Sequence, residues 1–388
     1  MARIEIDPNY NSPTFSRATA AADIFKKEDV QALAAAMSTH VHDGTGKGLA
    51  IAASGIPTSS ITSAMIVDGT IAAADLAANS ITTAKIVDAN VTNAKLGSDT
   101  ARLNLLVNGG FEVWQRGNGP FAATGNFAAD RWQMSFGGGT MSVTRDTANV
   151  ATPDSAACAA VVVTSPSNVL LTQTLEGTHL RGRTVTFSMR VKTSTASAVR
   201  INVFDGVATQ ASAFHSGGGA YETLTVTATL GAAVTGTNIL QVSFAVACTA
   251  YLDNAMLVVG SQAADYAPLH PADDLARCLR YYETVTLASN AYVCLAFAFG
   301  TTSAMAMYPI LVQKAVAPTV TLSAAATWAV TSAAFGILPC TAITATVQGG
   351  GRSIALSLTV ASGLVAGNAG IVLANTGQTA TLAIEANP

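Results

Sequence analysis

The chain has 388 residues, half of them apolar and only 11% charged, with a net charge of −3. An ordinary soluble domain carries about 25% charged residues, so a surface this poor in charge is ill protected against association and points to an oligomer. The negative balance and the absence of any basic run exclude an electrostatic nucleic-acid binder, and five scattered cysteines without a CxxC pair argue against a disulfide framework or a zinc site.

Residues 1–45 open on MARIEIDPNYNSPTF, which lacks the apolar centre of a signal peptide. They continue into an Ala-rich run, ATAAADIFKKEDVQALAAAM, that reads as a helix and is closed by STHVHDGTG. His40 and His42 in the closing element stand two apart, which on an extended chain puts both imidazoles on one side. Three chains about an axis would then offer six nitrogens to one transition metal. Asp43-Gly44 beside them equally marks a turn in a packed or solvated junction.

Residues 46–103 form a repeat. Apolar side chains stand at Ile51, Ile56, Ile61, Ile66, Ile71, Leu76, Ile81, Ile86, Val91 and Leu96, one every fifth position, within decads such as ITSAMIVDGT and ITTAKIVDAN. A helix turning about 100° per residue scatters this spacing around its cylinder, and a strand throws alternate members onto opposite faces. Such a unit buries almost nothing against itself and gains stability by packing on copies. A single-chain pentapeptide β-helix would need about three coils with caps, more than this array provides. Three parallel chains whose apolar residues meet on one axis build a complete core from a short repeat. The array therefore predicts a trimeric shaft, with Ile61, Ile66, Ile71, Leu76, Ile81, Ile86, Val91 and Leu96 as its core.

Residues 104–270 carry strand signals. In TVTFSMRVK (184–192), Val185, Phe187, Met189 and Val191 alternate with polar residues, and YETLTVTATL (221–230) alternates likewise. PADDLARCLRYYE (271–283) reads as a short helix with Leu275, Cys278, Leu279 and Tyr282 on one face. Residues 284–388 return to strands and hold three charged side chains, Lys314, Arg352 and Glu385. The uncharged stretch Thr284 to Gln313 is broken by Gly300, Thr301, Thr302 and Pro309, so it reads as two buried strands and not as a membrane span. The glycine triplets Gly137–Gly139, Gly217–Gly219 and Gly349–Gly351 lack a phosphate-loop layout and read as hairpin turns. The fold class expected is mostly β: an N-terminal helix, a trimeric repeat shaft, a jelly-roll sandwich, a connecting helix and a second, C-terminal β-sandwich.

The repeat preceded by HVHDGTG, followed by LNLLVNGGFEVWQRG, FAADRWQM and CLRYYE in that order, resembles tailed-bacteriophage fibre proteins and fibres of phage-derived gene-transfer particles. The resemblance covers roughly residues 38–285. It implies a virion protein, attached to other virion proteins through its N-terminus, trimeric, and binding a host cell-surface glycan without membrane insertion. NGGFE also resembles the opening strand of jelly-roll carbohydrate-binding modules, where this Glu and an Asp of the last strand hold a structural calcium ion. Here those residues would be Glu112 and Asp253; otherwise they bond local backbone or pair with Arg. Trp114 and Trp132 are either sugar-stacking platforms or core anchors.

A glycan-degrading tailspike needs two carboxylates about 5–9.5 Å apart in a cleft. Acidic residues in 104–388 are few, Asp273-Asp274 reads as a helix start, and the others show no motif pairing; no Ser nucleophile elbow, HExxH or Cys–His signature appears. The sequence thus predicts a binding fibre acting by trimeric avidity and not an enzyme, with a purely structural head or collar decoration as the alternative.

Overall fold

In this computed structural model, residues 27–38, 60–78, 80–82, 85–86, 103–153, 155–176, 180–231, 239–332 and 334–388 are described. The chain divides into two units, Met1–Val87 and Asp88–Pro388.

In the first unit, α1 spans Lys27–Ser38. The repeat makes one tight turn per five residues. Backbone N–H to C=O bonds close Thr62–Met65, Val67–Thr70, Ala72–Asp75, Ala77–Ser80 and Thr82–Lys85 at 3.0, 3.1, 3.0, 3.0 and 2.9 Å. Each turn is bracketed by the apolar residues of the period, so the five-residue spacing is a spacing of turns. Ile61, Ile66, Ile71, Leu76, Ile81 and Ile86 are 41–56% exposed, so the chain itself gives them no core. Val91 and Leu96, like His40 and His42, lie outside the described residues.

The second unit begins with a sandwich built from β1 (Gln133–Phe136), β2 (Thr140–Asp146), β3 (Cys158–Ser165), β4 (Val169–Thr174), β5 (Thr184–Thr193), β6 (Val199–Phe204), β7 (Thr209–Ala211), β8 (Tyr221–Thr229), β9 (Ile239–Phe244) and β10 (Cys248–Val259). Two five-stranded antiparallel sheets, β1-β4-β9-β6-β7 and β2-β3-β10-β5-β8, face each other in a jelly roll. Period-two alternation supplies the core: Val185, Phe187, Met189 and Val191 of β5 meet Leu171, Ile201 and Val242 of the opposite sheet, all fully buried. Gln173 also points inward. Its carboxamide accepts from Val107 N and donates to Val107 O at 3.1 and 2.9 Å, pinning the segment that enters the sandwich.

Two of the glycine triplets are not hairpins. Gly137–Gly139 and Gly217–Gly219 carry the chain from one sheet to the other, between β1 and β2 and between β7 and β8. The crossings are close: a Cβ on Gly139 would stand 2.5 Å from Ser167 O, and one on Gly217, at φ +87°, 2.3 Å from Ala196 N. Gly349–Gly351 does join paired strands.

Helix α2 spans Pro271–Leu279. Its buried residues are Asp274 and Cys278, whereas Leu275 is 40% exposed, so the expected apolar face is displaced. The cause is polar: Asp274 Oδ1 accepts the backbone N–H of buried Asn108 at 3.0 Å.

Beyond α2 lie β11 (Tyr282–Leu287), β12 (Tyr292–Ala298), β13 (Ser303–Pro309), β14 (Thr319–Leu322), β15 (Trp328–Thr331), β16 (Ile337–Gln348), β17 (Ser353–Val360), β18 (Ala369–Ala374) and β19 (Ala380–Glu385). Here the expected second sandwich is corrected. Strands β12-β13-β17-β16-β15-β18 close into a six-stranded barrel, and β11-β19-β14 form a separate three-stranded sheet. A barrel of six strands has a narrow interior, and Ala296, Ala298, Ala304 and Ala306 supply small inward side chains on its first hairpin. Their outward neighbours Leu295, Phe297, Phe299, Met305 and Met307 are 38–73% exposed. At the base of the barrel the buried Lys314 ammonium donates to Glu283 Oε2 at 2.7 Å, while the Tyr308 hydroxyl donates to Glu283 Oε1 at 2.8 Å.

Candidate functional site: an amide-lined sheet face

Apart from Gln173, the inward residues of β1, β4, β9 and β6 are apolar, so the register sends their neighbours to the outer face. Pairing aligns Gln133 with Thr172, Thr172 with Gln241, Gln241 with Asn202, and Asn202 with Ala211, which makes one row across all five strands. A second row holds Ser135, Leu170, Ser243 and Arg200, and a third Thr174, Ile239, Phe204 and Thr209. None of these residues is acidic.

Asn202 sits at the centre of this face and is 3% exposed. Its Nδ2 stands 3.4 Å from Gln241 Oε1, and its Oδ1 accepts no hydrogen bond. A buried carbonyl without a donor costs about 1–3 kcal/mol. Thr172, 8% exposed, donates its hydroxyl to Gln133 O at 3.3 Å. Near one edge the Arg200 guanidinium lies 4.8 Å from the centre of the Phe214 ring, itself 37% exposed. Carboxamides offer donors and an acceptor on a fixed fork, a match for adjacent hydroxyls. The exposed ring beside them suits an apolar C–H face.

The residues singled out in the sequence fall elsewhere. Trp132 is wholly buried, stacked on Phe111 at 4.8 Å, and donates to Asn108 O at 3.0 Å. It is a core anchor, and its faces are closed to a sugar. Trp114 is half-buried, packs on Phe121 at 6.4 Å and donates to Phe111 O at 2.6 Å. Tyr281 and Tyr282 each carry an arginine, Arg131 at 3.8 Å and Arg116 at 3.6 Å.

Glu112 and Asp253 are brought together at the other sheet, beneath the β2–β3 loop. Glu112 Oε1 accepts Ala156 N–H at 2.8 Å. Asp253 accepts from Ala151 N at 2.8 Å and from Asn254 N at 2.7 Å. Burial pushes the Asp253 carboxyl up to about 6, with the neighbouring Glu112 charge acting the same way, and burial likewise raises Glu112. Among the described residues neither carboxylate has a Lys or Arg within ion-pair distance. Nor do three His, Cys, Asp or Glu side chains gather as a metal cluster among them.

The amide row had no local signal in the sequence. Its members lie on four strands from Gln133 to Gln241, and only the sheet order unites them.

No family model and no curated protein sequence matches the chain. Among solved structures, the carbohydrate-binding and catalytic modules of a Clostridium thermocellum endo-1,4-β-D-xylanase with xylohexaose are similar at 12% identity and TM-score 0.31, over 42% of this chain and 29% of that one. The enzymatically active domain of bacteriophage CBA120 tailspike protein 4 is similar at 15% identity and TM-score 0.30, over 40% and 21%. The tandem CBM22 domains of Paenibacillus barcinonensis Xyn10C are similar at 13% identity and TM-score 0.31, over 74% and 99%. The chain thus spans less than a third of the xylanase and tailspike structures. Likeness at this level carries no inference about function.

Proposed function

We propose that this protein is a virion fibre that binds a host cell-surface glycan through the amide face of its sandwich. The observation that carries this reading is the buried Asn202 Oδ1, unpartnered among the described residues, at the centre of a polar row with Gln133, Thr172 and Gln241. It is a binder and not a hydrolase, because cleavage of a glycoside uses two carboxylates and the three rows of this face hold none.

The fibre is a homotrimer. Half-exposed apolar residues after every turn of the repeat support this, as does the exposed strip of Leu295, Phe297, Phe299, Met305 and Met307 on the barrel. Three faces on one trimer bind together, so a weak sugar contact becomes firm attachment. The N-terminal segment joins the fibre to other virion proteins.

Glu112 and Asp253 hold a structural calcium ion, with Asn254 beside them. A half-buried Glu112 and a fully buried Asp253, neither within ion-pair distance of a Lys or Arg among the described residues, fit a hard divalent ion, which they would hold through their carboxylate oxygens. The ion fixes the β2–β3 loop and takes no part in glycan contact.

The test is a host-envelope glycan array probed with the full chain and with Gln241→Ala. Binding that the substitution weakens supports the proposal. No binding to any glycan would leave a purely structural stalk, and release of reducing ends would make the protein an enzyme.

A further inference from the structure

Beneath α2 the second unit holds a half-open cavity of about 280 Å³, at the Thr174 end of β4. Among the described residues its wall carries three arginines, Arg131, Arg277 and Arg280, against one carboxylate, Glu176. Arg280 Nε stands 3.3 Å from Glu176 Oε2, and Arg277 donates to the Asn104 carbonyl at 3.2 Å. Arg131 is 3% exposed, lies over the Tyr281 ring, and donates to Asn387 Oδ1 at 2.8 Å and to Thr174 O. Its Nε has no partner. Among the described residues no carboxylate stands within ion-pair distance of Arg131 or Arg277.

A guanidinium removed from water without a counter-charge costs several kcal/mol, which carbonyl bonds and an aromatic ring offset only in part. Here an excess of positive charge is concentrated around one cavity of a chain whose net charge is −3. The planar fork of Arg matches the two oxygens of a carboxylate or phosphate better than any neutral group. The volume is at the small end for ligand sites, enough for one sugar-sized unit, and leucines along the wall suit the apolar edge of a ring.

We infer that the cavity beneath α2 is an oxyanion site for a single acidic sugar unit, centred on its arginines and not on the row from Gln133 to Asn202. Arg131 and Arg277, with Arg280 beside them, take the carboxylate or phosphate of that unit, and the fibre thereby discriminates charged from neutral envelope glycans.

Calorimetry on the full chain with glucuronate, glucose 6-phosphate and glucose tests this. The expected result is that at least one acidic sugar binds, that glucose does not compete, and that Arg277→Gln and Arg280→Gln each weaken binding about tenfold. Both side chains are partly exposed, so thermal melts of these variants should match the parent. Raising salt from about 0.05 to 0.3 M should weaken binding severalfold. Gln241→Ala should leave it unchanged, which keeps this site distinguishable from the glycan face. A response to glucuronate alone or to the phosphate alone supports the site and identifies its group. Absence of binding by both acidic sugars, or affinity unchanged in both arginine variants, overturns it.

Discussion

Replacing Asn202 by valine separates binding from stability. In the free protein the Asn202 carboxamide is 3% exposed, its one side-chain neighbour in reach is Gln241 at 3.4 Å, and its Oδ1 is unpartnered. An unmade buried hydrogen bond costs about 1–3 kcal/mol, and valine suits a central strand. The variant should therefore be as stable as the parent or more so, with a melting temperature unchanged or raised by about 2–4 °C per kcal/mol gained. Glycan binding should move the other way. Loss of one acceptor and one donor, each worth about 0.5–1.5 kcal/mol, lowers affinity about 5- to 150-fold. Calorimetry with a soluble oligosaccharide reads the single-site affinity without avidity, and a thermal melt reads the stability. A variant that melts several degrees lower and binds as before would make Asn202 a strut of the sheet and refute the reasoning.

Burial pushes the Asp130 carboxyl from 3.8 up to about 6 at the junction with Arg116 and Gln115. An acid with a raised folded pKa contributes stability that is full below its unfolded value and is lost as pH rises through the folded one. Melting temperature in a chelator should accordingly fall between about pH 4 and 6, with Asp253, free of calcium there, adding to the slope in the same window. Asp130→Asn should remove roughly half of that dependence, about 3 kcal/mol, and an unchanged pH profile would deny it. Calcium should raise the melting temperature of the parent over a chelator control at neutral pH, and Asp253→Asn should abolish the increment; equal increments in both proteins would remove the ion from this site. Trp132→Ala should cost about 3–5 kcal/mol by denaturant titration, as for a wholly buried ring, and a loss under 1 kcal/mol would contradict its place in the core.

Local patterning made much of this fold legible. TVTFSMRVK and YETLTVTATL became β5 and β8 because alternation over eight or more residues leaves one choice of face, and Pro271 marks the first residue of α2. The five-residue period stated that its apolar groups lack shelter, and the described ones are exposed, with one tight turn closing between successive members. Barrel closure was not legible, since the strands of 284–388 alternate alike in a sandwich and in a barrel, and closure depends on which edges meet. The buried face of α2 was misread because Asp274 is held by a distant backbone N–H. Trp132 left both roles open until its neighbours were known. The pairing of Glu112 with Asp253 came from a family resemblance, while the amide row is a product of sheet order alone.

The proposed trimer, on which avidity would depend, is open to one direct measurement. Ile71 and Leu76 are 54% and 46% exposed, so covering what remains of each contributes about 1 kcal/mol, or about 6 kcal/mol over the six copies in a trimer. Sedimentation equilibrium of the full chain should give three times the chain mass, and the double substitution Ile71→Asn, Leu76→Asn should shift the same sample towards single chains. A parent that sediments as one chain, with the double variant indistinguishable from it, would contradict the fibre.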